Sequence, residues 1–544
     1  MDGGPAFLMS RFARLAKSKS KPEIIPVAPP FSNFEFVDRV FNGLASLRRI
    51  MSQVRQHGGK TMVLEDVAIE DADDLLEENA DLKKHVGVTF PSRATRLSFF
   101  SKEFKTLRGL SSVDCEDFIG YAILKLDDLP RGYDKARVYE SVIRTSRHIN
   151  NFVRGEQEWT CAVAGNRIAV KGYLYAQQNG ATNVCAHVAL RTAAARFHKD
   201  GDMTYREMNS LPGINIDHLM RKAGGPTGVG LNQNQMVEVL EAAGARCIKV
   251  EYTGKGKKSE SLPPFQKYLY GSIESGFPAI ICFWTSGDFY HAIPVFGHTF
   301  NEDTWVPSAE LDYFSKGAGP KCIPSESWLS TFIGHDDNWG SNFCIPRDFL
   351  YTKKYCDKMA GRPGPCKKQE ERVFCVIATL PKEVEISPPK AEAIGANYLF
   401  SMLQQLPAIS GPWQGRLDWY AHHNRLVLRP ILVDGPQYAS HLAKLTDWDK
   451  EPFDPVIVEI LAKGLPKGKL WLIELSVPEL FSTNRRKVAD VLIGAEVSAR
   501  DRKNFVVARL PGCFAVLRKG SPSKPLFTFV PSGAEGHVPL FGSE

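Results

Sequence analysis

The stretch that decides the fold runs from Gln177 to Ala193 and reads QQNGATNVCAHVALRTA. Asn179-Gly180 predicts a turn, and Asn183 is placed to cap the helix that the following Ala, Val and Leu residues favour. Cys185 is therefore predicted in the first turn of that helix. Unpaired backbone N–H groups and the helix dipole make such a position electropositive, which favours a thiolate.

Two glutamines precede this predicted helix. The side chain of Gln178 is placed to donate a hydrogen bond to an oxyanion that forms near the sulfur, and Gln177 is the alternative donor. The competing interpretation is a buried, inert thiol, because free cysteine is often a core residue.

A second anchor lies about a hundred residues downstream. Ala279–Trp284 reads as an apolar strand, the sequence then turns, and His291 begins the next strand. A histidine at that point is a candidate general base. Pro294 lies inside the same strand and predicts either a bulge or an edge, because proline cannot donate to a sheet ladder.

Other histidines compete with His291 for the role of base. His187 follows Cys185 by two residues and is expected on a different side of the helix. His298 is an odd number of residues from His291 and is expected on the other face of the strand. His335 stays as a minor rival because it adjoins an acidic pair.

The third anchor is Phe332 to Gly340, which reads FIGHDDNWG. A nucleophile–histidine pair needs a further group that fixes the tautomer of the imidazole. Asp337 or Asp336 supplies it. Successive side chains of an extended segment point in opposite directions, so only one of the two acids is expected to face His291.

Together these segments resemble the papain-like cysteine peptidases, and within them the bacterial C39-like peptidases. They are also similar to a group of uncharacterised bacterial proteins with C39-like domains. The shared features are a Gln-Gln element before Cys-Ala, a His-Ala strand with Gly-His, and His-Asp-Asp-Asn-aromatic-Gly. The resemblance covers roughly residues 60–380, and the chain departs from that group by continuing Gly-Ser-Asn after Trp339.

The resemblance implies an α+β fold whose papain-like core sets an N-terminal helix against an antiparallel sheet. It implies Cys185 as nucleophile, His291 as base and Gln178 as oxyanion donor. The Asp-Asn-Trp-Gly register aligns with the papain-like Asn-Ser-Trp-Gly element and favours Asp337. The C39-like register favours Asp336. Asp337 is the acid we predict, with Asp336 as the alternative. No cofactor and no metal are implied.

Composition shifts along the chain predict four parts. Residues 1–33 read as a flexible basic tail, 34–155 as an α+β domain, 156–380 as the papain-like domain and 391–544 as a second α+β domain. The tail places Leu8, Phe12 and Leu15 on one helical face beside Arg and Lys residues, so contact with an anionic membrane surface is a further interpretation of it. No catalytic motif is found after residue 391.

The overall composition narrows the class of protein. The chain has 544 residues, 43% of them hydrophobic and 24% charged, with a net charge of +7. These values are typical of a globular protein, and the dispersed basic residues do not favour nucleic acid as a partner. No apolar run approaches the roughly 20 residues of a membrane helix.

Cysteine usage indicates the compartment. The eleven cysteines are an odd number, spread along the chain without a CxxC pair, which is typical of a reducing, cytoplasmic setting. Four of them cluster in sequence, but they lack the spacing of zinc-ligand pairs and are expected to be free thiols. They are Cys344, Cys356, Cys366 and Cys375.

These observations predict a cytoplasmic thiol hydrolase, a cysteine peptidase that acts on a protein or peptide substrate. Glutamine deamidation, transglutamination and removal of a conjugated modifier use the same groups and stay open. A catalytically inactive binding module is the third hypothesis.

Overall fold

The computed structural model describes residues 10–27, 44–129, 136–146, 151–214, 230–252, 262–285, 290–301, 322–347, 372–406, 411, 413–446, 451–498, 504–518, 525–532 and 536–541. The α-helices are α1 Ala45–Gln56, α2 Asp73–Val86, α3 Leu107–Leu110, α4 Cys185–Ala194, α5 Tyr205–Asn209, α6 Gln233–Ala242, α7 Phe265–Glu274, α8 Pro388–Leu403, α9 Trp413–His422, α10 Gly435–Lys444, α11 Pro455–Gly464 and α12 Pro478–Asn484.

The strands are β1 Glu23–Pro26, β2 Thr61–Val67, β3 Ser92–Phe100, β4 Phe118–Asp127, β5 Ala136–Ile143, β6 Asn151–Val153, β7 Gln157–Val163, β8 Asn166–Gly172, β9 Leu174–Tyr175, β10 Ala245–Glu251, β11 Ala279–Trp284, β12 Tyr290–Phe300, β13 Cys322–Pro324, β14 Leu329–Asp336, β15 Gly340–Pro346, β16 Arg372–Pro381, β17 Leu426–Asp434, β18 Lys469–Ser476, β19 Ala489–Gly494, β20 Phe505–Leu510, β21 Cys513–Leu517 and β22 Phe527–Pro531.

The N-terminal sheet has the antiparallel order β1-β2-β3-β4-β5-β9. Its strands alternate side chains between two buried faces, as the two-residue period of a strand requires. Helix α1 covers one face with Leu47, Ile50 and Val54. Helix α2 and the β7–β8 hairpin lie on the other face, where the buried cluster continues into α4. The N-terminal half of the chain therefore packs directly against the helix that begins at Cys185.

The central sheet has the order β10-β16-β11-β12-β14-β15, and β6 adds to β12. Helix α4 packs on one face, over Ile280 and Cys282 of β11. Helix α7 covers the other face through Leu269 and Ile273. An α+β class with antiparallel sheets is thus confirmed.

The C-terminal sheet has the order β13-β17-β18-β19-β20-β21-β22 and is antiparallel except for the β13–β17 pair. Helices α8 and α9 pack on one face and α10 on the other. Helix α8 leads into this part of the chain, and β20 and β21 pair as an antiparallel hairpin.

Two local features are informative. The turn at Ala164-Gly165 joins β7 to β8, and both residues have positive φ, 47° and 82°, which a two-residue hairpin turn favours. Pro294 lies in β12, an interior strand, and pairs with Ile280. The ladder to β14 shifts register between Val295 and Gly297, so the bulge expected from the proline is present.

The N-terminal tail is a correction. Residues 10–27 were expected to be flexible, but β1 pairs with β2, and Phe12 and Arg14 are buried. The guanidinium of Arg14 bonds to the buried carboxylates of Glu140 and Asp202. These side chains are therefore not available to a membrane surface. Leu8 lies outside the described residues.

Short strands cross the predicted domain boundaries. The strand β6 comes from residues expected in the N-terminal domain but pairs with β12 of the central sheet. Conversely, β9 extends the N-terminal sheet and β13 extends the C-terminal one. The sheets are thus interlocked by exchanged strands.

Candidate active site

The Cys185 thiol lies at the first residue of α4, as the sequence predicts. The cap differs from the expectation: the N-cap is Val184, which is extended, and Asn183 does not cap the helix. Asn179 organises the loop instead, because its Oδ1 accepts the backbone N–H groups of Ala181, Thr182 and Asn183 at 2.8–3.0 Å. The loop that leads into α4 is therefore held by Asn179 and not by a side-chain cap on the helix.

Asn179 is itself anchored from the N-terminal domain. Its Nδ2 donates to Oε1 of Glu78 at 2.9 Å, and Glu78 is buried between Lys125 and Arg137. These two cations outweigh the effect of burial and lower the pKa of Glu78 to about 2. A fixed carboxylate thus holds the loop that presents Cys185. The Asn-Gly pair was the only local signal for this role.

His291 is the second residue of β12 and is buried, with 8% of its surface exposed. The Cys185 thiol neighbours this ring and contributes to the raised pKa of His291. The Nε2 atom lies 3.2 Å from Oδ2 of Asp336 and 3.5 Å from Oδ1 of Asp337. Because Nε2 faces the carboxylates, Nδ1 is the nitrogen left for the sulfur.

Both acids face His291, contrary to the expectation that only one would. The reason is that β14 ends at Asp336 and Asp337 begins the turn, so the alternation of an extended strand no longer applies. Oδ1 of Asp336 accepts the backbone N–H groups of Asn338 and Trp339, at 2.8 and 3.1 Å. Neither oxygen of Asp337 has a hydrogen-bond partner.

Both His291 and Asp337 have shifted pKa values. Burial disfavours the imidazolium of His291, but the hydrogen bond to Asp336, the neighbouring Cys185 and the charge of Asp337 outweigh it and raise the pKa to about 11. Burial and the neighbouring Asp336 raise the pKa of Asp337 to about 6, against the opposing effect of His291. At neutral pH the histidine is therefore cationic, which is the setting in which thiolate nucleophiles are found.

The two glutamines have different surroundings. Gln177 accepts the N–H of Val138 through Oε1 at 2.8 Å and donates through Nε2 to the carbonyl of Asp337 at 3.1 Å. Both ends of its amide are hydrogen-bonded, so Gln177 joins the N-terminal sheet to the acidic turn. Gln178 is half-buried, and its amide makes no hydrogen bond to any described residue.

The rival histidines have structural partners. Nδ1 of His335 accepts the N–H of Asn342 and its Nε2 donates to the carbonyl of Tyr173, and burial lowers its pKa to about 4. His187 bonds to Asn209, and burial lowers its pKa to about 4 as well. His298 lies 2.8 Å from Glu274. Burial lowers its pKa as well, so each of the three rings is neutral and bonded to a structural partner.

Three aromatic side chains neighbour the group in the chain. Trp284 and Tyr290 end paired strands next to His291, with ring centroids 3.9 Å apart, and Tyr290 is 59% exposed. Trp339 follows the acidic turn and is 67% exposed. We did not predict these aromatic residues from the sequence, although Trp284 and Tyr290 lie at the ends of the two predicted strands.

The remaining thiols of the described chain are free. Cys282 and Cys375 are buried register partners on β11 and β16, beneath α4. Cys344 is exposed, while Cys356 and Cys366 lie outside the described residues. For Cys356 and Cys366, the expectation of free thiols without zinc stays a prediction. Among the described residues, one group has metal-ligand proximity: His291, Asp336 and Asp337, whose ligand atoms lie within 4.8 Å of one another.

No protein-family model matches the chain, and neither a curated protein nor a solved structure is significantly similar to it. Within the described ranges, no helix combines the length and the apolar character needed to span a membrane.

Proposed function

We propose that this chain is a papain-like thiol hydrolase, a cytoplasmic cysteine peptidase that acts on a protein or peptide substrate. One observation carries the proposal: the Cys185 thiol begins a helix and neighbours His291, whose Nε2 lies 3.2 Å from Oδ2 of Asp336. A nucleophile, a base and an orienting acid in contact form the minimal set for acyl transfer.

The proposed reaction begins with the sulfur of Cys185 attacking a carbonyl carbon. The backbone N–H of Cys185 and the amide of Gln178 donate to the oxyanion. His291, which holds the thiol proton, gives it to the leaving amine as the C–N bond breaks. Water then attacks the thioester, His291 takes its proton, and the carboxylic acid and the thiol are released.

The acids have distinct proposed roles. Asp336 accepts from Nε2 of His291 and keeps the imidazole turned toward the sulfur. Asp337 adds a second negative charge at 3.5 Å. The sequence-based preference for Asp337 is thus reversed in this proposal, because the hydrogen bond belongs to Asp336.

Deamidation, transglutamination and deconjugation would form the same acyl-enzyme and differ only in what supplies the carbonyl and what accepts the acyl group. Exposed Tyr290 and Trp339 adjoin His291 and the acidic turn in the chain and do not separate these reactions. An inactive binding module predicts a thiol of ordinary reactivity.

The test of the thiol chemistry is selective labelling. Limiting iodoacetamide at about pH 6, followed by peptide mass spectrometry, should modify Cys185 before any other cysteine, because His291⁺ adjoins it. Exposed Cys344 is the internal control. Preferential labelling of Cys344, Cys356 or Cys366 would contradict the proposal and favour the binding module.

The test of the reaction type compares the protein with its Cys185→Ala variant in a cell lysate. A peptidase produces new N-termini that the variant does not. A deamidase instead adds roughly 1 Da to glutamine-containing peptides, as an amide NH₂ becomes OH. Neither change, with Cys185 selectively reactive, would point to transfer or deconjugation.

A further inference from the structure

The carboxylate of Asp337 is the least satisfied charged group of the site. The residue is 6% exposed, and neither Oδ1 nor Oδ2 has a hydrogen-bond partner. Its one ion pair among the described residues joins Oδ1 to Nε2 of His291 at 3.5 Å. A buried carboxylate without hydrogen bonds is costly, so these oxygens are available to a cation that enters the site.

The neighbouring donors converge on the same space. Nε2 of His291 lies 3.2 Å from Oδ2 of Asp336 and 3.5 Å from Oδ1 of Asp337, and all three ligand atoms lie within 4.8 Å of one another. Two ligands bound tetrahedrally at about 2.0–2.1 Å are separated by about 3.3 Å. From this agreement we infer that His291, Asp336 and Asp337 form a binding site for a divalent transition-metal cation, with Zn²⁺ the best fit.

The donor types define the ligand class. An imidazole nitrogen with two carboxylates suits Zn²⁺ and other first-row divalent ions, whereas Mg²⁺ and Ca²⁺ prefer oxygen donors alone. Asp336 is fixed for this task, because its other oxygen is held by the N–H groups of Asn338 and Trp339. The carbonyl of Asp337 is held by Gln177. The turn therefore presents two anchored carboxylates to one nitrogen.

The ion would take the place of the Nε2 proton. His291 would then carry its proton on Nδ1, facing Cys185, and would have no free nitrogen to accept another. This regulatory consequence rests on the proposed function: the metal-bound protein should be an inactive thiol hydrolase, and removal of the metal should restore activity. The binding itself requires no enzymatic activity.

The experiment measures Zn²⁺ binding to the full chain by competition with a chromophoric chelator. The wild type should bind one ion at this site, and Asp337→Asn should weaken it by at least about 100-fold. Asp336→Asn is the second ligand variant. Thermal unfolding without metal establishes that each variant is folded. Loss of activity in Zn²⁺ and its return with a chelator test the regulatory step.

The matched control is Cys185→Ala. A site made of imidazole and carboxylates should keep its Zn²⁺ affinity in this variant, and Co²⁺ bound there should lack thiolate charge-transfer absorption. Loss of Zn²⁺ binding in Cys185→Ala would place the ion between sulfur and imidazole and would overturn the inference. So would wild-type affinity in folded Asp337→Asn, or no binding by the wild type. Because binding is read directly, these failures are distinct from a failure of the thiol chemistry.

Discussion

At the scale of single residues, two adjacent carboxylates are held in opposite ways. Asp336 bonds to His291 with one oxygen and to two backbone N–H groups with the other, whereas Asp337 has no hydrogen bond. Hydrogen bonds to the charged form keep a carboxylate ionised, and burial without them favours the neutral acid. Orientation of the imidazole therefore depends on Asp336.

Replacement of each acid by its amide tests this difference. Asp336→Asn should lower kcat by about 10²–10⁴-fold, because the imidazole loses the acceptor that fixes its tautomer. Asp337→Asn should have a much smaller effect on kcat, and circular dichroism should show that both variants fold. If Asp337→Asn lowers kcat more than Asp336→Asn does, Asp337 is the orienting acid, as the Asn-Ser-Trp-Gly register favours.

The two glutamines predict a second contrast. Gln178→Ala should lower kcat by about 10²–10³-fold and leave stability unchanged, because it removes an oxyanion donor that has no other partner among the described residues. Gln177→Ala should cost about 1–3 kcal/mol of unfolding free energy, because it leaves the N–H of Val138 and the carbonyl of Asp337 unsatisfied. Kinetics and denaturant titration of both variants measure the two effects. Equal stability losses would contradict the assignment.

At the scale of elements, the N-terminal segment is part of the structure that supports α4. Arg14 shares the carboxylates of Glu140 and Asp202 with Arg191, which lies on α4 itself. Two cations and two anions are thus buried between the N-terminal segment, the N-terminal sheet and the nucleophile helix. Loss of one partner from such a group leaves a buried charge uncompensated.

Arg14→Ala should therefore lower the unfolding free energy by about 3–5 kcal/mol. The matched control is Lys19→Ala in the same segment, where the ion pair with Glu70 is more than half exposed on both sides. That pair should contribute at most about 1 kcal/mol, and less in high salt. Urea denaturation of both variants measures the difference; equal values would show that the segment is not structurally coupled to the rest.

The sequence was most informative where the signal is local. The helix at Cys185, the strand Ala279–Trp284 and the turn at Ala164-Gly165 follow from periodicity and turn chemistry. The cap was wrong because Asn179 is positioned by Glu78, a contact distant in sequence. To predict that both acids face His291, we would have needed to know that β14 ends at Asp336. Sequence periodicity defines the ends of strands poorly.

The same reasoning explains the domain boundaries. The strands that cross them, β6, β9 and β13, have only two or three residues each. Such segments are too short to show alternation, and their partners lie far away in the chain. The N-terminal segment was misjudged because Ser, Lys and Pro favour disorder in composition, while a few buried contacts around Arg14 decide its structure.

At the scale of the whole molecule, the central and C-terminal parts share their interior. Arg429 of β17 bonds to Glu274 at the end of α7, at 2.5 and 3.1 Å, and to Glu474 of β18 at 2.9 Å. Arg429 is 2% exposed. One buried cluster contains both Ile281 of the central sheet and Val427 of the C-terminal sheet. The two parts should therefore unfold together.

Arg429→Leu tests this coupling. The substitution leaves Glu274 and Glu474 without their shared cation, and it should cost about 3–5 kcal/mol. Scanning calorimetry should show one transition in the wild type that moves as a whole to lower temperature. The control is the same substitution at a surface position, Arg416→Leu in α9, which should leave the transition temperature unchanged. A shift confined to one of two separate peaks would show that the parts are independent.

Strand β16 has a consequence for biosynthesis. It lies between β10 and β11, and its Phe374 and Ile377 belong to the buried cluster that includes residues of α4, yet it is translated last of the strands in its sheet. Cys185 and His291 leave the ribosome well before residue 381. The nascent chain therefore contains both residues while the central sheet still lacks β16. The proposed thiol site is therefore expected to be complete only when synthesis has passed the final strand of the central sheet.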